Sequence, residues 1–446
     1  MKLSVREKIG FGLGDTASNL VWASLMSFIM FFYTDVFGIT AAAVGTMFLF
    51  ARVFDGVTDF LIGAMADRTQ TRWGKFRPFL LWMAIPLAVM MVLTFTVPGF
   101  SQNGKVVYAW ITYNLLMLAY TAVNIPYSAL SGVMTDDPLE RTSLNSYRMV
   151  LAQAGGFIVN AAMLPLVQAL GRGNTGLGYQ LTTAVFGIGA VALIWFTFSS
   201  TRERIQPPPG QKTTLRADLG TLFRNPHWVI LFAVGLMDLT FIIIRAGSLV
   251  YYCKYTLLLD EKQTSVFLVL GNVGFIAGAV ITRFVVARMG KKGALILAHL
   301  IMAVSALAAY GLKPGDPTLA LVLQVIHAIG GGINATVFFA MIADAADFSE
   351  WKFGTRNTGI VFSAVTCSQK VGMGLGGVLA GWILTHYGYV ANAVQTPQAN
   401  FGITLMVSLI PAIGFLVVVA LFTRYGLSEQ FCARIREDLT KRRVDA

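Results

Sequence analysis

Apolar runs of about twenty residues or more follow one another along the chain, separated by short polar stretches that hold most of the charge. A run of ~20 apolar residues is long enough to cross a bilayer as a helix. The pattern predicts twelve spans, at 10–33, 41–66, 78–98, 106–134, 149–170, 179–200, 227–257, 264–287, 293–312, 318–345, 357–386 and 401–424. The longest of these must tilt or extend past the bilayer. A longer polar stretch separates two sets of six. The expected organisation is an N-terminal half at 1–200, a cytoplasmic middle loop at 201–226, a C-terminal half at 227–424 and a cytoplasmic amphipathic tail at 425–446. The middle loop contains Pro207-Pro208-Pro209-Gly210, a stiff extended piece. The following TTLRADLGTLFR predicts a short amphipathic helix at the membrane surface. In the tail, Leu427, Phe431, Ile435 and Leu439 recur every fourth residue and Lys441, Arg442 and Arg443 follow. That pattern predicts a helix under the inner leaflet.

Composition strengthens this picture. Hydrophobic residues are 56% of the 446 and charged residues 13%, more apolar surface than a soluble chain of this size could hide. Long continuous runs exclude a transmembrane barrel, whose strands alternate. The opening MKLSVREKIG is polar and basic, and the first apolar run is long enough to span rather than to be a cleaved leader. Of the 34 Lys and Arg, 25 fall in the regions that an inward N-terminus makes cytoplasmic. Lys105, Arg172, Lys262 and Lys313 are the four on the other side, and five lie within spans. This positive-inside bias predicts that both termini are cytoplasmic. It also accounts for the +12 net charge without any nucleic-acid partner. The cysteines, Cys253, Cys367 and Cys432, lack metal-ligand spacing and read as reduced and inert, either buried or cytoplasmic.

The two halves echo each other. Arg72-Trp73-Gly74-Lys75 follows the second span, and Arg288-Met289-Gly290-Lys291 follows the eighth, 216 residues later. The fourth span ends in Asp136, Asp137, Glu140 and Arg141, and the tenth in Asp344, Asp347, Glu350 and Lys352. Duplicated halves with a binding site between them are a common plan among secondary transporters. Glycine-rich stretches at Gly330–Gly332 and Gly372–Gly377 read as close helix packing.

The candidate chemistry centres on Arg52-Val53-Phe54-Asp55-Gly56-Val57-Thr58-Asp59 within the second span. Asp55 and Asp59 are four apart and share a helix face, with Arg52 one turn earlier. Two close carboxylates in a low-dielectric place cannot both stay ionised unaided, so a cation, a proton or a basic partner belongs with them. Asp15 and Asn19 share a face of the first span, and Thr121 and Asn124 a face of the fourth, ahead of Pro126. Two carboxylates, a hydroxyl and an amide carbonyl suit Na⁺, while one carboxylate suffices for H⁺. Arg245 could meet an anionic substrate or neutralise Asp238. Lys370, ahead of GMGLGG, needs an acid within the bundle and could act as a latch between conformations. There is no Walker A loop, no paired Cys/His ligand set and no nucleophile elbow among these residues. An enzyme or an ATP-driven pump is therefore not expected, no cofactor is implied, and an ion gradient must supply the energy.

The runs FFYTDVFG, GTMFLFARVFDGVTD, ADRTQTRWGKFRPFLL, TAVNIPYSAL and ADAADFSEWKFGTRNTGI span nearly the whole chain and resemble the glycoside–pentoside–hexuronide:cation symporters. The resemblance implies the all-α major facilitator fold, with twelve transmembrane helices in two pseudo-symmetric six-helix halves, and alternating access in an inner (plasma) membrane. It implies that Asp55 and Asp59, with Thr121 and Asn124, hold the cation. Asp15, Asn19, Asn124, Ser128, Arg148, Arg245 and Lys370 become candidates for the sugar site, and Arg52, Asp238 and Lys370 for a charge network that couples the two. The melibiose permease of this family has acids where this chain has Asn19 and Asn124, and a tryptophan where it has Ser128. Losing two strong acceptors and a stacking face turns the expectation from galactosides toward a hexuronide or other anionic sugar, and losing the carboxylate at 124 turns the coupling ion toward H⁺. The alternatives are a neutral pentoside or hexoside, and a drug or lipid as cargo. The expected partners are a small sugar or glycoside, H⁺ or Na⁺, and the bilayer, with the chain acting as a monomer.

Overall fold

A computed structural model describes residues 3–135, 138–204, 223–312, 317–353 and 358–444, apart from some side chains within helices. Pro207–Gly210, most of the expected surface helix at 213–224, Asp136, Asp137, Lys313 and the side chains of Arg141, Arg442 and Arg443 lie outside the described residues. Among the described residues the regular secondary structure is helical apart from one isolated bridge, Thr71 to Gly74. The helices are α1 Val5–Phe31, α2 Ala41–Arg68, α3 Arg77–Thr94, α4 Gln102–Met134, α5 Pro138–Gly171, α6 Thr175–Ser200, α7 Pro226–Tyr251, α8 Glu261–Ala309, α9 Pro317–Phe353, α10 Thr358–His386, α11 Pro397–Val407, α12 Leu409–Thr423 and α13 Glu429–Val444. Ten stretches of described residues are long and apolar enough to cross a membrane.

Several boundaries differ from the expected ones for identifiable reasons. The spans expected at 264–287 and 293–312 form the single run α8, broken at Gly290, whose φ is 69°. The span expected at 401–424 is two helices with a break at Ser408. Pro411 has no N–H to return to the carbonyl of Val407, so the ladder is interrupted there. Helix α5 starts eleven residues before the expected span, which puts Arg148 about three turns inside a helix rather than in a loop. Helix α4 runs on through Pro126.

Contacts divide the chain into two compact units. One takes in Met1–Gly210 with Leu259–Val269 and Leu384–Gln395, and the other takes in Gln211–Leu258, Leu270–Ile383 and Thr396–Ala446. In each unit the first long helix ends in a wider π turn, Phe32–Phe37 after α1 and Tyr252–Thr256 after α7. The turns close with the same bond, from Gly38 N to Tyr33 O (3.0 Å) and from Leu257 N to Tyr252 O (2.9 Å). Within the first unit, the Tyr389 hydroxyl donates to the Asp35 carboxylate and the Asn392 amide to the Asp35 carbonyl.

Burial follows the logic of a lipid-facing protein. Large apolar side chains such as Trp82, Ile85, Ile188, Val280 and Trp382 are exposed, while hydroxyls and charges lie inside. The buried hydroxyls of Ser24, Thr112, Thr183, Ser248 and Thr282 donate to the carbonyl one turn back, so none of these five is stranded in hydrocarbon. In the second unit Gly332 lies against the carbonyl of Phe275, where an added Cβ would come within 2.0 Å. Such contact brings α8 and α9 backbone to backbone. The apolar stripe of the tail packs inward. Leu427, Ile435 and Leu439 are buried in the protein core with Trp228 and Phe348, and the Trp351 indole donates to Asp438 (3.0 Å).

Candidate functional site

In the first unit α2 and α4 pack together. The four-residue spacing of Asp55 and Asp59 turns both carboxylates toward α4, where the hydroxyl of Thr121 lies 3.1 Å from Asp55 Oδ1 and 3.2 Å from Asp59 Oδ1. Asp55 is only 3% exposed. Its other oxygen faces Arg52 Nη1 at 3.4 Å, and Arg52 Nη2 donates to the Tyr113 hydroxyl (3.2 Å). Thr121 has one hydrogen for two carboxylates. When it donates to one, its lone pairs face the other, so the hydroxyl alone does not offset the two charges, and Arg52 brings positive charge to Asp55.

A second cluster is built on α1, α4 and α5. Arg148 Nε donates to Asp15 Oδ2 at 2.5 Å, Arg148 Nη2 reaches the Ser128 hydroxyl at 3.5 Å, and the guanidinium lies over the Tyr127 ring, 5.1 Å from its centre. Ser128 in turn donates to Asn124 Oδ1 (3.4 Å). Asn19 is turned back on its own helix and donates to the Asp15 carbonyl (2.9 Å). Because Asn124 is one turn beyond Thr121 on α4, the two clusters adjoin along a single helix.

Aromatic residues absent from the candidates above close around these groups. Trp22 stacks on Tyr120 with centroids 5.3 Å apart, and the Arg52 guanidinium lies over Trp22 at 5.7 Å. Trp22 completes the i, i+4, i+7 face of Asp15 and Asn19. That periodicity is the signal that could have found it. A ring next to polar groups that can bind hydroxyls suits a sugar, which has apolar C–H faces and polar edges.

Three candidates lie in the second unit. Arg245 does not neutralise Asp238: its Nη2 donates to Gln324 Oε1 (2.7 Å), while Asp238 is bonded by Asn334 (2.5 Å) and His299 (3.3 Å). That alternative, one of two for Arg245, fails because Asp238 and Arg245 are seven residues apart on one helix, and each finds a nearer partner on α8 or α9. Lys370 is on α10. Of the cysteines, Cys253 and Cys432 are buried and Cys367 is exposed, and none of the three is in a disulfide.

This arrangement meets a family signature that covers nearly the whole chain. The model of the MFS/sugar transport protein family matches residues 10–429. The chain belongs to that family. The transporter is 38% identical to the inner membrane symporter YicJ of Escherichia coli (strain K12), over 95% of this chain and 92% of the relative. It is 37% identical to the isoprimeverose transporter of Lactiplantibacillus pentosus, over 92% and 86% of the two chains. It is 34% identical to the glucuronide carrier protein homolog of Escherichia coli (strain K12), over 99% and 97%. The glycoside–pentoside–hexuronide:cation symporter resemblance and the all-α major facilitator fold thus hold, and the transporter is a multi-pass membrane protein that moves sugar, not an enzyme.

Proposed function

We propose that the transporter carries a sugar or glycoside across an inner membrane together with H⁺ or Na⁺ by alternating access, both termini being cytoplasmic. Asp55 and Asp59, with Thr121 and Asn124, bind the cation. The observation that supports this is the convergence of Asp55 and Asp59 on the Thr121 hydroxyl oxygen, at 3.1 and 3.2 Å. Neutralising that pair favours sugar binding beside Asp15, Asn19, Asn124, Ser128 and Arg148. Coupling then follows, because each ligand binds better when the other is present. Arg52, Asp238 and Lys370 tune the charge balance of the cycle.

The preferred cargo is a hexuronide or another anionic sugar, and the preferred ion is H⁺. Asn19 and Asn124 leave the first-unit cluster with one acid, Asp15, and Arg148 already neutralises it. A sugar carboxylate therefore meets little repulsion there. Similarity to a glucuronide carrier homolog supports this reading. Similarity to an isoprimeverose transporter favours a second one, a neutral pentoside or hexoside. A drug or lipid carrier would be expected to line the α1–α4–α5 cluster with apolar groups instead.

The test is uptake into proteoliposomes of a labelled panel of glucuronides, pentosides and hexosides, under an imposed pH or Na⁺ gradient. A glucuronide should accumulate on a pH gradient, and Asp55→Asn and Asp59→Asn should each abolish accumulation while leaving the protein folded. Accumulation that persists in both variants would remove the carboxylate pair from the mechanism. Stimulation by Na⁺ at fixed pH would replace H⁺ as the coupling ion.

A further inference from the structure

The second unit contains a buried acid–base cluster built on Asp238, whose proton content the symport reading does not address. Asp238 is on the apolar helix α7 and is 3% exposed. Its Oδ2 accepts from Asn334 Nδ2 on α9 (2.5 Å), and its Oδ1 faces His299 Nε2 on α8 at 3.3 Å. His299 has no exposed surface. Its other ring nitrogen, Nδ1, is 2.9 Å from the carbonyl of Leu295, one turn back on the same helix.

Counting protons decides what this geometry contains. A peptide carbonyl only accepts, and so does an ionised carboxylate. Both nitrogens of His299 therefore face acceptors, yet a neutral imidazole has a single N–H. With that hydrogen on Nδ1, the lone pair of Nε2 would point at the negative oxygen of Asp238. With it on Nε2, the lone pair of Nδ1 would point at the Leu295 carbonyl. One further proton removes the conflict. It sits either on His299 as an imidazolium or on Asp238 as an acid that donates to Nε2, and the total is the same. The side chain of Asn334 shows the same shortage of donors, since its buried Oδ1 meets no hydrogen-bond partner among the described residues.

The surroundings leave the proton to these groups. Phe415 and Phe422 on α12 present rings 6.0 and 6.4 Å from the imidazole. Arg245, two turns along α7 from Asp238, is bonded to Gln324. His327 on α9 is turned to the Ser305 hydroxyl and the Met302 carbonyl, both at 3.2 Å. Helix α10, which packs against α7 where Gly372 meets the Leu236 carbonyl, brings Lys370 as its charged group. Among the described residues, no Lys or Arg side chain is paired with Asp238.

We propose that His299 and Asp238 form a proton-binding site in the second unit, separate from Asp55 and Asp59 and holding one proton more than a neutral imidazole and a carboxylate. The site goes beyond the symport reading and stands whichever ion drives uptake. The test is solid-state NMR of the full chain in lipid bilayers at pH 7, labelled with ¹⁵N-histidine, together with infrared difference spectra against Asp238→Asn. The chain has four histidines, so His299→Gln identifies the His299 signals. Should that variant fail to fold, the chain with His227, His327 and His386 replaced by Gln leaves His299 alone. The expected result is one of two spectra. Either both His299 nitrogens are protonated, or Nδ1 is protonated and Nε2 accepts a strong hydrogen bond, with a carboxylic-acid C=O band that Asp238→Asn removes. A neutral Nε2–H imidazole with bare Nδ1 beside an ionised Asp238 would overturn the proposal, whatever the uptake assays show.

Discussion

Thr121 has a single hydroxyl hydrogen between two acids, and the consequences can be measured one substitution at a time. Removing the hydroxyl takes away one neutral–ionic hydrogen bond and one oxygen of the set. Such a bond is worth roughly 1.5–3 kcal/mol. Thr121→Ala should therefore weaken the cation's effect on sugar binding about tenfold or more, and Thr121→Ser should keep it. Cation-dependent thermal shifts with and without sugar check this. Arg148 is tied to Asp15 by a 2.5 Å bond with both side chains mostly buried. Arg148→Gln should lower stability by about 1–3 kcal/mol, because a carboxylate loses its charged partner. Adding Asp15→Asn should restore part of that loss while sugar binding stays impaired. If the double variant melts as the single one does, the two side chains are not energetically coupled.

Among the helices, the RWGKFRP stretch shows how a motif becomes a joint. Gly74 has φ 105°, a left-handed conformation that a Cβ disfavours. It turns the next three backbone N–H groups toward Glu203, which follows α6. Glu203 accepts from Lys75 N (2.9 Å), Phe76 N (2.8 Å) and Arg77 N (3.0 Å). These are the unsatisfied donors at the start of α3, and an anion is favoured there by the helix dipole as well. The second unit repeats the joint. Gly290 has φ 69°, and Glu429 at the start of α13 accepts from Lys291 N (3.0 Å). The Gly-Lys echo in the sequence is thus one half of two matching clasps, each closed by an acid that follows the last long helix of its unit. Glu203→Ala should cost about 1–3 kcal/mol for three orphaned donors, and Glu429→Ala less, since it frees one. Melting in detergent checks the order, and equal losses would count against a clasp graded by its hydrogen bonds. Arg77 secures the first clasp by donating through Nη2 to the Phe198 carbonyl (2.7 Å).

For the whole molecule, the distribution of polarity is that of a protein dissolved in lipid. Ile188, near the middle of α6, is 72% exposed. A lysine there would be set in hydrocarbon at about 2.5–3.5 kcal/mol on insertion scales. Ile188→Lys should therefore reduce the amount of protein in the membrane while leaving the sugar affinity of the surviving fraction intact. A quantitative blot of membranes and a binding assay separate the two effects. Full membrane levels would mean that this face of α6 is covered by something other than lipid tails.

Hydrophobic periodicity and charge placement are local properties, and they made the helical membrane architecture legible before any contact was known. Span positions followed from apolar runs of bilayer length, and the shared face of Asp55 and Asp59 followed from the pitch of a helix. The duplicated Gly-Lys and the Asp15–Asn19–Trp22 face are equally local patterns. What tertiary structure decided was the identity of partners. Thr121 between two acids, Arg148 on Asp15, Glu203 on the start of α3 and His299 on Asp238 join residues 61 to 133 positions apart. No local pattern ties such residues to one another. The same holds for Arg245, for which Asp238 on its own helix was one of two alternative partners and whose guanidinium found Gln324 on a neighbouring helix. A helix fixes which face a side chain occupies, and only the packing of that face against another helix fixes what it meets.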